Sequence, residues 1–279
     1  MTDTDSPASP MLTLNDGRTM PQLGFGTYKL DNDKVGEPIS IALDEGYQLV
    51  DTASFYDNEE GVGKALTDAP DIWLTTKLWN ADQGAEKAHD AFKRSLDRLG
   101  RDAVDLFLIH WPCPDDDRYV ETWQALIAMR EAGLAKSIGV SNFLPEHLDR
   151  IIAETGVTPA VNQIELHPTF QQRELQDYHQ EKGIVTQSWS PLGRGASFDD
   201  PIIAGIAKEV GREPSAVVLR WHIQHGLAPI PKATSRDHIS GNFDATDFSL
   251  NDDQMNRIDT MDDPDGRTGP HPLEVNAGS

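Results

Sequence analysis

Asp51, Tyr56, Lys77 and His110 are the residues of this sequence whose types, taken together, suit acid–base work at a carbonyl. A free tyrosine, with a pKa of about 10, gives up its proton reluctantly near neutrality. A lysine ammonium beside it favours the phenolate and lowers that pKa, and a buried carboxylate keeps the lysine charged and oriented. Such a hydroxyl protonates a carbonyl oxygen as negative charge develops there. A neutral histidine alongside donates a hydrogen bond that orients the same carbonyl. The set holds neither a hydride source nor a strong nucleophile, so a reduction here requires a cofactor.

These residues are scattered along the chain, and only a particular architecture brings them together. Short apolar runs at 23–27, 49–52, 72–77, 106–110, 137–140, 161–164, 184–188 and 227–230 alternate with amphipathic stretches. In one such stretch, 85–99, Ala88, Phe92, Leu96 and Leu99 share a face. In another, 119–132, Val120, Trp123, Leu126 and Ile127 point inward. Gly46, Gly100, Gly133, Gly156, Gly183 and Gly226 precede strands where a helix end favours a left-handed residue. Strand and helix alternating eight times without a linker predicts an α/β fold, a single (β/α)8 TIM barrel. A further helix over 250–261 and a Gly/Pro-rich tail close the chain.

Asp51, Lys77, His110, Asn142, Gln163 and Trp189 stand at or just beyond the ends of successive apolar runs. In such barrels the chemistry lies at the C-terminal ends of the strands. Each residue has a plainer use alone: Asp51 caps a loop, Lys77 pairs with it, His110 is a core histidine. Six strands ending in polar or amphipathic residues predict one functional mouth.

The rest of the composition bounds the answer. The 279 residues suit one barrel domain over 11–279 after a loose polar tail at 1–10, which lacks the features of a signal peptide. One cysteine, Cys113, rules out an internal disulfide and fits a reducing, cytoplasmic setting. No apolar run is long enough for a membrane helix, and a monomer is the expected state. Acidic residues outnumber basic ones 46 to 24, for a net charge of −22. That surface repels nucleic acid. The acids are spread along the whole chain, which predicts a halophilic protein whose self-repulsion fades when molar salt shortens the Debye length to about 3 Å.

Seven motifs give the chain a resemblance to the aldo-keto reductase family: GYQLVDTASFYDNEEGVGKAL (46–66), TTKLW (75–79), LFLIHWP (106–112), SIGVSNF (137–143), VNQIELHP (161–168), SWSPLGRG (188–195) and IPKATSRDHISGN (230–242). They occur in the family's order and cover nearly the whole chain. The closing GRTGPHPLEVN (266–276) is similar to the bacterial 2,5-diketo-gluconate reductase branch. The resemblance implies NAD(P)H-dependent reduction of an aldehyde or ketone to the alcohol, α-keto or sugar-derived carbonyls included. It makes Tyr56 the proton donor, with Lys77 and Asp51 tuning it and His110 orienting the substrate. Ser141, Asn142 and Gln163 would hold the nicotinamide carboxamide, and Trp189 would stack on the ring where many relatives have tyrosine. Gly26, Thr27 and Tyr28 would line the cofactor, with Ser190, Pro191, Leu192 and Gly193 beside the pyrophosphate.

At the adenine end, Lys232, Ala233, Thr234 and Asn242 match or approach the NADPH pattern. His238 and Gly241 replace the usual arginine and glutamate. Arginine grips a 2′-phosphate bidentately, and neutral histidine does not. NADPH with some use of NADH is therefore expected, Arg236 being near enough in sequence to lend a second cation. Neither Gly24-Phe25-Gly26 nor Gly61-Val62-Gly63-Lys64 completes a phosphate-loop fingerprint. Phe25, Trp79, Trp111 and Phe143 are the expected substrate-pocket aromatics, with His110. Two rival readings exist. His110, His167 and Asp51 as zinc ligands would make a hydrolase, but Lys77 brings a cation to that spot and no His-x-His closes the first strand. A non-catalytic cofactor-binding sensor would survive Tyr56→Phe, whereas an enzyme would not.

Overall fold

The computed structural model describes residues 9–278. A two-stranded antiparallel hairpin, β1 (Met11–Thr13) and β2 (Thr19–Pro21), comes first. Eight parallel strands follow: β3 (Phe25–Gly26), β4 (Leu49–Asp51), β5 (Trp73–Leu78), β6 (Val104–Ile109), β7 (Ala135–Ser141), β8 (Val161–Glu165), β9 (Val185–Trp189) and β10 (Ala228–Pro229). They pair in chain order, and the ring closes where Gly24 N donates to Pro229 O at 3.0 Å and Gly26 N to Pro231 O at 2.9 Å. Glycine suits this seam, because a Cβ on residue 26 would fall 2.9 Å from the backbone oxygen of Ile230.

Helices α1 (Gly36–Glu45), α2 (Glu59–Ala65), α3 (Ala85–Leu99), α4 (Tyr119–Glu131), α5 (Pro145–Thr155) and α6 (Arg173–Lys182) each return the chain to the next strand. After β9 two helices follow, α7 (Pro201–Val210) and α8 (Pro214–Gln224); α9 (Arg236–Phe243) follows β10, and α10 (Asp252–Asp259) is the additional C-terminal helix. This is the expected (β/α)8 barrel. The six glycines expected at helix ends all have positive φ. At Gly46 two constraints meet, since φ is +106° and a Cβ would lie 3.0 Å from the Phe243 ring.

Strand side chains alternate between two environments. Val50, Leu74, Leu78, Phe107, Ile109, Ile138 and Val140 face outward and join the apolar sides of the helices, including Phe92, Leu96, Trp123 and Leu126. Leu49, Trp73, Leu106, Leu108, Val161, Ala228 and Ile230 face inward and meet Leu14 and Met20 of the hairpin. Leu49, Trp73, Val161 and Ala228 each open their strand, so the hairpin plugs the N-terminal end of the barrel. Asp16 Oδ2 accepts from Ser137 Oγ at 2.6 Å and Asn15 Nδ2 donates to Pro159 O at 2.9 Å, pinning the plug. Each fully buried side chain of this kind contributes on the order of 1.5–3 kcal/mol.

Of the ten residues expected as a loose tail, 1–8 lie outside the described residues. Ser9 and Pro10 belong to the folded part: Ser9 is buried, its Oγ accepts from Leu23 N at 3.1 Å, and Pro10 O accepts from Gln22 N at 2.7 Å. Among the described residues no helix is long and apolar enough to cross a membrane.

Candidate active site

Following the inward parity up each strand, the apolar layer gives way to polar side chains. Leu49 leads to Asp51, Trp73 to Thr75 and Lys77, Leu108 to His110, Ser137 to Ser141, Val161 to Gln163 and Glu165, and Val185 to Gln187 and Trp189. The C-terminal mouth is thus dictated by a period of two that continues after the hydrophobic residues stop.

At its centre Lys77 Nζ donates to Asp51 Oδ1 at 2.5 Å, to Thr52 O at 2.8 Å and to the Tyr56 hydroxyl at 3.3 Å. All three ammonium protons are used. Because the Tyr56 oxygen accepts from Lys77, its own proton is free to point into the mouth. Gln163 Nε2 donates to the other Asp51 oxygen at 2.8 Å and to Gln187 Oε1 at 2.7 Å, so the buried carboxylate is met on both sides. Tyr56 lies on a short turn after β4. Asn58 ties that turn down by accepting from Thr52 Oγ1 at 2.7 Å and donating to Thr27 O and Leu30 O at 3.0 Å each. Ser54 Oγ adds a bond to Lys77 O at 2.9 Å.

Burial pushes Asp51 up and Lys77 down, and each partner's charge pulls the other back toward ionisation. The expected lowering of Tyr56 is not found. Burial, then the Asp51 carboxylate, then Tyr28 push its hydroxyl well above the ordinary value. The physical reason is that a buried phenolate would be stripped of water and would face the Asp51 carboxylate. Tyr56 therefore keeps its proton at neutral pH. His110 is driven well below 6.5 by burial and by Lys77, so its imidazole is neutral. Its Nδ1 is sealed with no partner among the described residues, which leaves Nε2 as the atom able to reach a substrate.

A profile of the aldo/keto reductase family matches residues 22–263. The chain is 46% identical over 272 residues to an aldo-keto reductase of Mycolicibacterium smegmatis, covering 96% of this chain and 98% of that one. It is 46% identical over 268 residues to the methylglyoxal reductase DkgA of Salmonella typhimurium, covering 94% and 96% respectively. The crystal structure of the Gox0644 D53A mutant in complex with NADPH superposes with a TM-score of 0.95 at 48% identity, over 96% of this chain and 99% of that one.

The chain belongs to the aldo/keto reductase family. It is an oxidoreductase that reduces carbonyl groups with a nicotinamide cofactor.

In this aldo/keto reductase the groove residues expected at the nicotinamide end do converge. Trp189 is half-buried and its Nε1 donates to Asn142 Oδ1 at 2.8 Å. Asn142, held at φ +63°, donates through Nδ2 to His110 O and Ser141 Oγ at 3.0 Å each; Ser141 Oγ donates to Gln163 O at 2.7 Å. These donors are already spent, and the Gln163 and Asn142 amide oxygens are left with capacity to accept from a carboxamide NH2. Beside the half-buried indole of Trp189, that acceptor pair fits a nicotinamide. Gly26 and Thr27 are buried at the β3 exit, and Thr27 Oγ1 donates to Asp51 O at 2.9 Å, while Tyr28 is 48% exposed with its ring 5.0 Å from that of Tyr56. Ser190 and Gly193 have positive φ, and Pro191 O is bonded at 3.1 Å to His222 Nε2 beneath the loop; Leu192 is half-buried.

At the other end Lys232, Thr234 and His238 are exposed, Gly241 is half-buried, and Ala233 and Asn242 are buried. Lys232 has no ion-pair partner among the described residues, so its charge is available to a phosphate. Arg236 is not: it is committed to Glu45 at 2.9 Å and Asp44 at 3.3 Å on α1.

Two pocket aromatics were misplaced by sequence reasoning. Phe25 faces the helices, 1% exposed and edge-on to Tyr47 at 5.9 Å. Phe143 is fully buried against Tyr119 and His147. Trp79 does line the mouth, stacked at 3.8 Å on Phe55 and edge-on to His110 at 5.1 Å. Trp111 clusters with Cys113 and Val275, against Trp79 and Trp189. Phe55, 48% exposed beside Tyr56, was missed although its place next to the tyrosine was a signal. Gln187 and Asn58 were missed because neither acts except through its partners. The zinc set does not assemble: Asp51 is taken by Lys77 and Gln163, and His167 by Glu165 and Thr169. Among the described residues no three His, Cys, Asp or Glu side chains form a metal-binding group.

Proposed function

We propose that this enzyme reduces small aldehydes and α-keto carbonyls, with Tyr56 as the proton donor. The observation that carries this reading is the Tyr56 hydroxyl held at 3.3 Å by a lysine whose other two protons are fixed on Asp51 and Thr52. That arrangement leaves the retained phenolic proton free to meet a substrate beside His110, whose ring lies 5.8 Å from that of Tyr56. His110 Nε2 orients the carbonyl oxygen, and Lys77 stabilises the negative charge left on Tyr56 as its proton departs. The cofactor supplies the hydride. Trp189, Gln163 and Asn142 hold its nicotinamide, with Ser141 keeping Asn142 in place. Gly26, Thr27, Tyr28 and the 190–193 loop line its path.

Methylglyoxal is a proposed substrate, on the strength of relatives so named and of a mouth narrowed by Trp79, Trp111 and Phe55. NADPH is the preferred cofactor, supported by free Lys232 and by the N-terminus of α9 beside it, whose peptide dipoles favour an anion. NADH is also used, because His238 and Gly241 supply no second cation. The likeness of 266–276 to the 2,5-diketo-gluconate reductase branch supports sugar-derived ketones as a further substrate class.

The test is loss of NADPH absorbance with methylglyoxal. Tyr56→Phe should lower turnover by about 10³-fold, within the range of general acid catalysis, while cofactor fluorescence titrations stay unchanged. A variant that keeps more than a tenth of wild-type turnover overturns the assignment.

The chain is further read as a cytoplasmic, monomeric, single-domain protein suited to salt, supported by its lone cysteine and its −22 charge. Its melting temperature should rise by several degrees between dilute buffer and molar KCl, as screening removes self-repulsion. A flat profile in calorimetry would remove the halophilic reading.

A further inference from the structure

Glu165 ends β8 with a side chain that is fully buried, yet it takes no part in the proton chemistry described above. Its Oε1 accepts from Thr268 N at 2.8 Å and from Thr268 Oγ1 at 2.6 Å, and its Oε2 accepts from Gly269 N at 3.0 Å. His167 Nε2 donates to Oε1 at 3.3 Å, since a carboxylate only accepts, and Nδ1 lies 3.0 Å from Thr169 Oγ1. The segment it grips is packed closely against its neighbours. A Cβ on Gly266 would lie 1.9 Å from Thr169 O, and one on Gly269 would lie 2.5 Å from the Trp189 ring. From there the chain crosses the mouth to a second anchorage, where Asn80 Nδ2 donates to Asn276 O at 3.3 Å and Asp116 accepts from Ala277 N at 2.7 Å. Between the two anchorages Val275, 6% exposed, rests in the cluster of Trp111, Trp79 and Trp189.

We propose that Glu165 is a positioning residue for carbonyl binding: it clamps residues 266–269 so that the strap to 277 holds Val275 as the roof of the aromatic pocket. The inference rests on the proposed function, since the pocket it roofs is the one in front of Tyr56 and Trp189. The clamp acts through the strap and the Trp189 edge, without touching the reacting atoms. Losing it should therefore loosen the roof more than it slows chemistry, and a small substrate should lose more than a bulky one.

The test compares methylglyoxal with an aromatic aldehyde, using NADPH and the full chain. Glu165→Gln preserves size but turns an NH2 group toward backbone donors. It should raise the methylglyoxal KM by about tenfold with kcat within about threefold, as expected when charged hydrogen bonds to a ground-state contact are lost. The aromatic aldehyde should gain ground, raising its share of kcat/KM. Thr268→Val, on an exposed residue, removes one bond and keeps the backbone; it should give a smaller shift of the same kind, and no further shift in the Glu165→Gln background. Equal losses for both aldehydes, or unchanged KM values in both variants, overturn the proposal. Amide exchange at Thr268 and Gly269 reads the clamp without any turnover. Protection that persists in Glu165→Gln overturns the clamp, whereas absent turnover in the wild-type protein with intact, Glu165-dependent protection overturns the proposed function and leaves the clamp standing.

Discussion

The two ends of the proposed cofactor groove are built on opposite plans. At the nicotinamide end Asp51, Lys77, Gln163, Gln187, Ser141 and Asn142 are buried and bonded to one another, so that each polar group has its position fixed by at least one other. At the adenine end Lys232 and Thr234 on the approach to α9 and His238 in its first turn stand in solvent, and Arg236 is drawn away by α1. A buried network couples chemistry to stability, because removing one member strands another. An exposed end does neither, and there a single residue changes preference at little cost to the fold.

The sharpest way to break this contrast is Lys77→Met. It leaves the Asp51 carboxylate buried without its cation, which should cost about 3–5 kcal/mol in denaturant unfolding. Turnover should fall by about 10³-fold or more in the same preparation. If stability holds while activity falls, the buried end is not the coupled unit described here. The second variant works at the other end. His238→Arg should raise the NADPH to NADH ratio of kcat/KM by about tenfold, equivalent to about 1.4 kcal/mol, through a new charge-assisted contact. Unfolding free energy should move by less than about 0.5 kcal/mol, as for other surface changes. A large loss of stability would show that the exposed end is braced after all.

The smallest expected effect is a null. His110 has its pKa depressed by burial and by Lys77, so it is already neutral above the range where free histidine titrates, and it stays neutral on acidification through 6.5. Carbonyl KM should be flat from pH 8 to 6, and Tyr56, raised by burial, should keep its proton across the same window. A KM limb near 6.5 would show that His110 is more solvated than its surroundings indicate.

Much of this was legible in the sequence because periodicity survives translation into structure. Eight apolar runs became eight strands, and the residues that end them became one mouth. What failed was side-chain direction where the pattern carries no contrast. The run 23–27 does not alternate apolar with polar, and its inward positions, Gly24 and Gly26, have no side chain to announce which face is which. Phe25 was therefore placed one face out. The Tyr56 shift depended on how deeply its hydroxyl is buried, which no run of residues around it reveals. Arg236 was offered to a phosphate because its partners, Asp44 and Glu45, are about 190 residues away in the chain. Glu165 was visible only as a letter in a motif until the strap from the far end of the chain closed on it.

The plug formed by Leu14 and Met20 divides labour between the two ends of the barrel. It packs on the inward apolar residues and is bonded to Ser137 and Pro159, so the closed end serves stability alone. The polar mouth stands on a floor that takes no part in its chemistry.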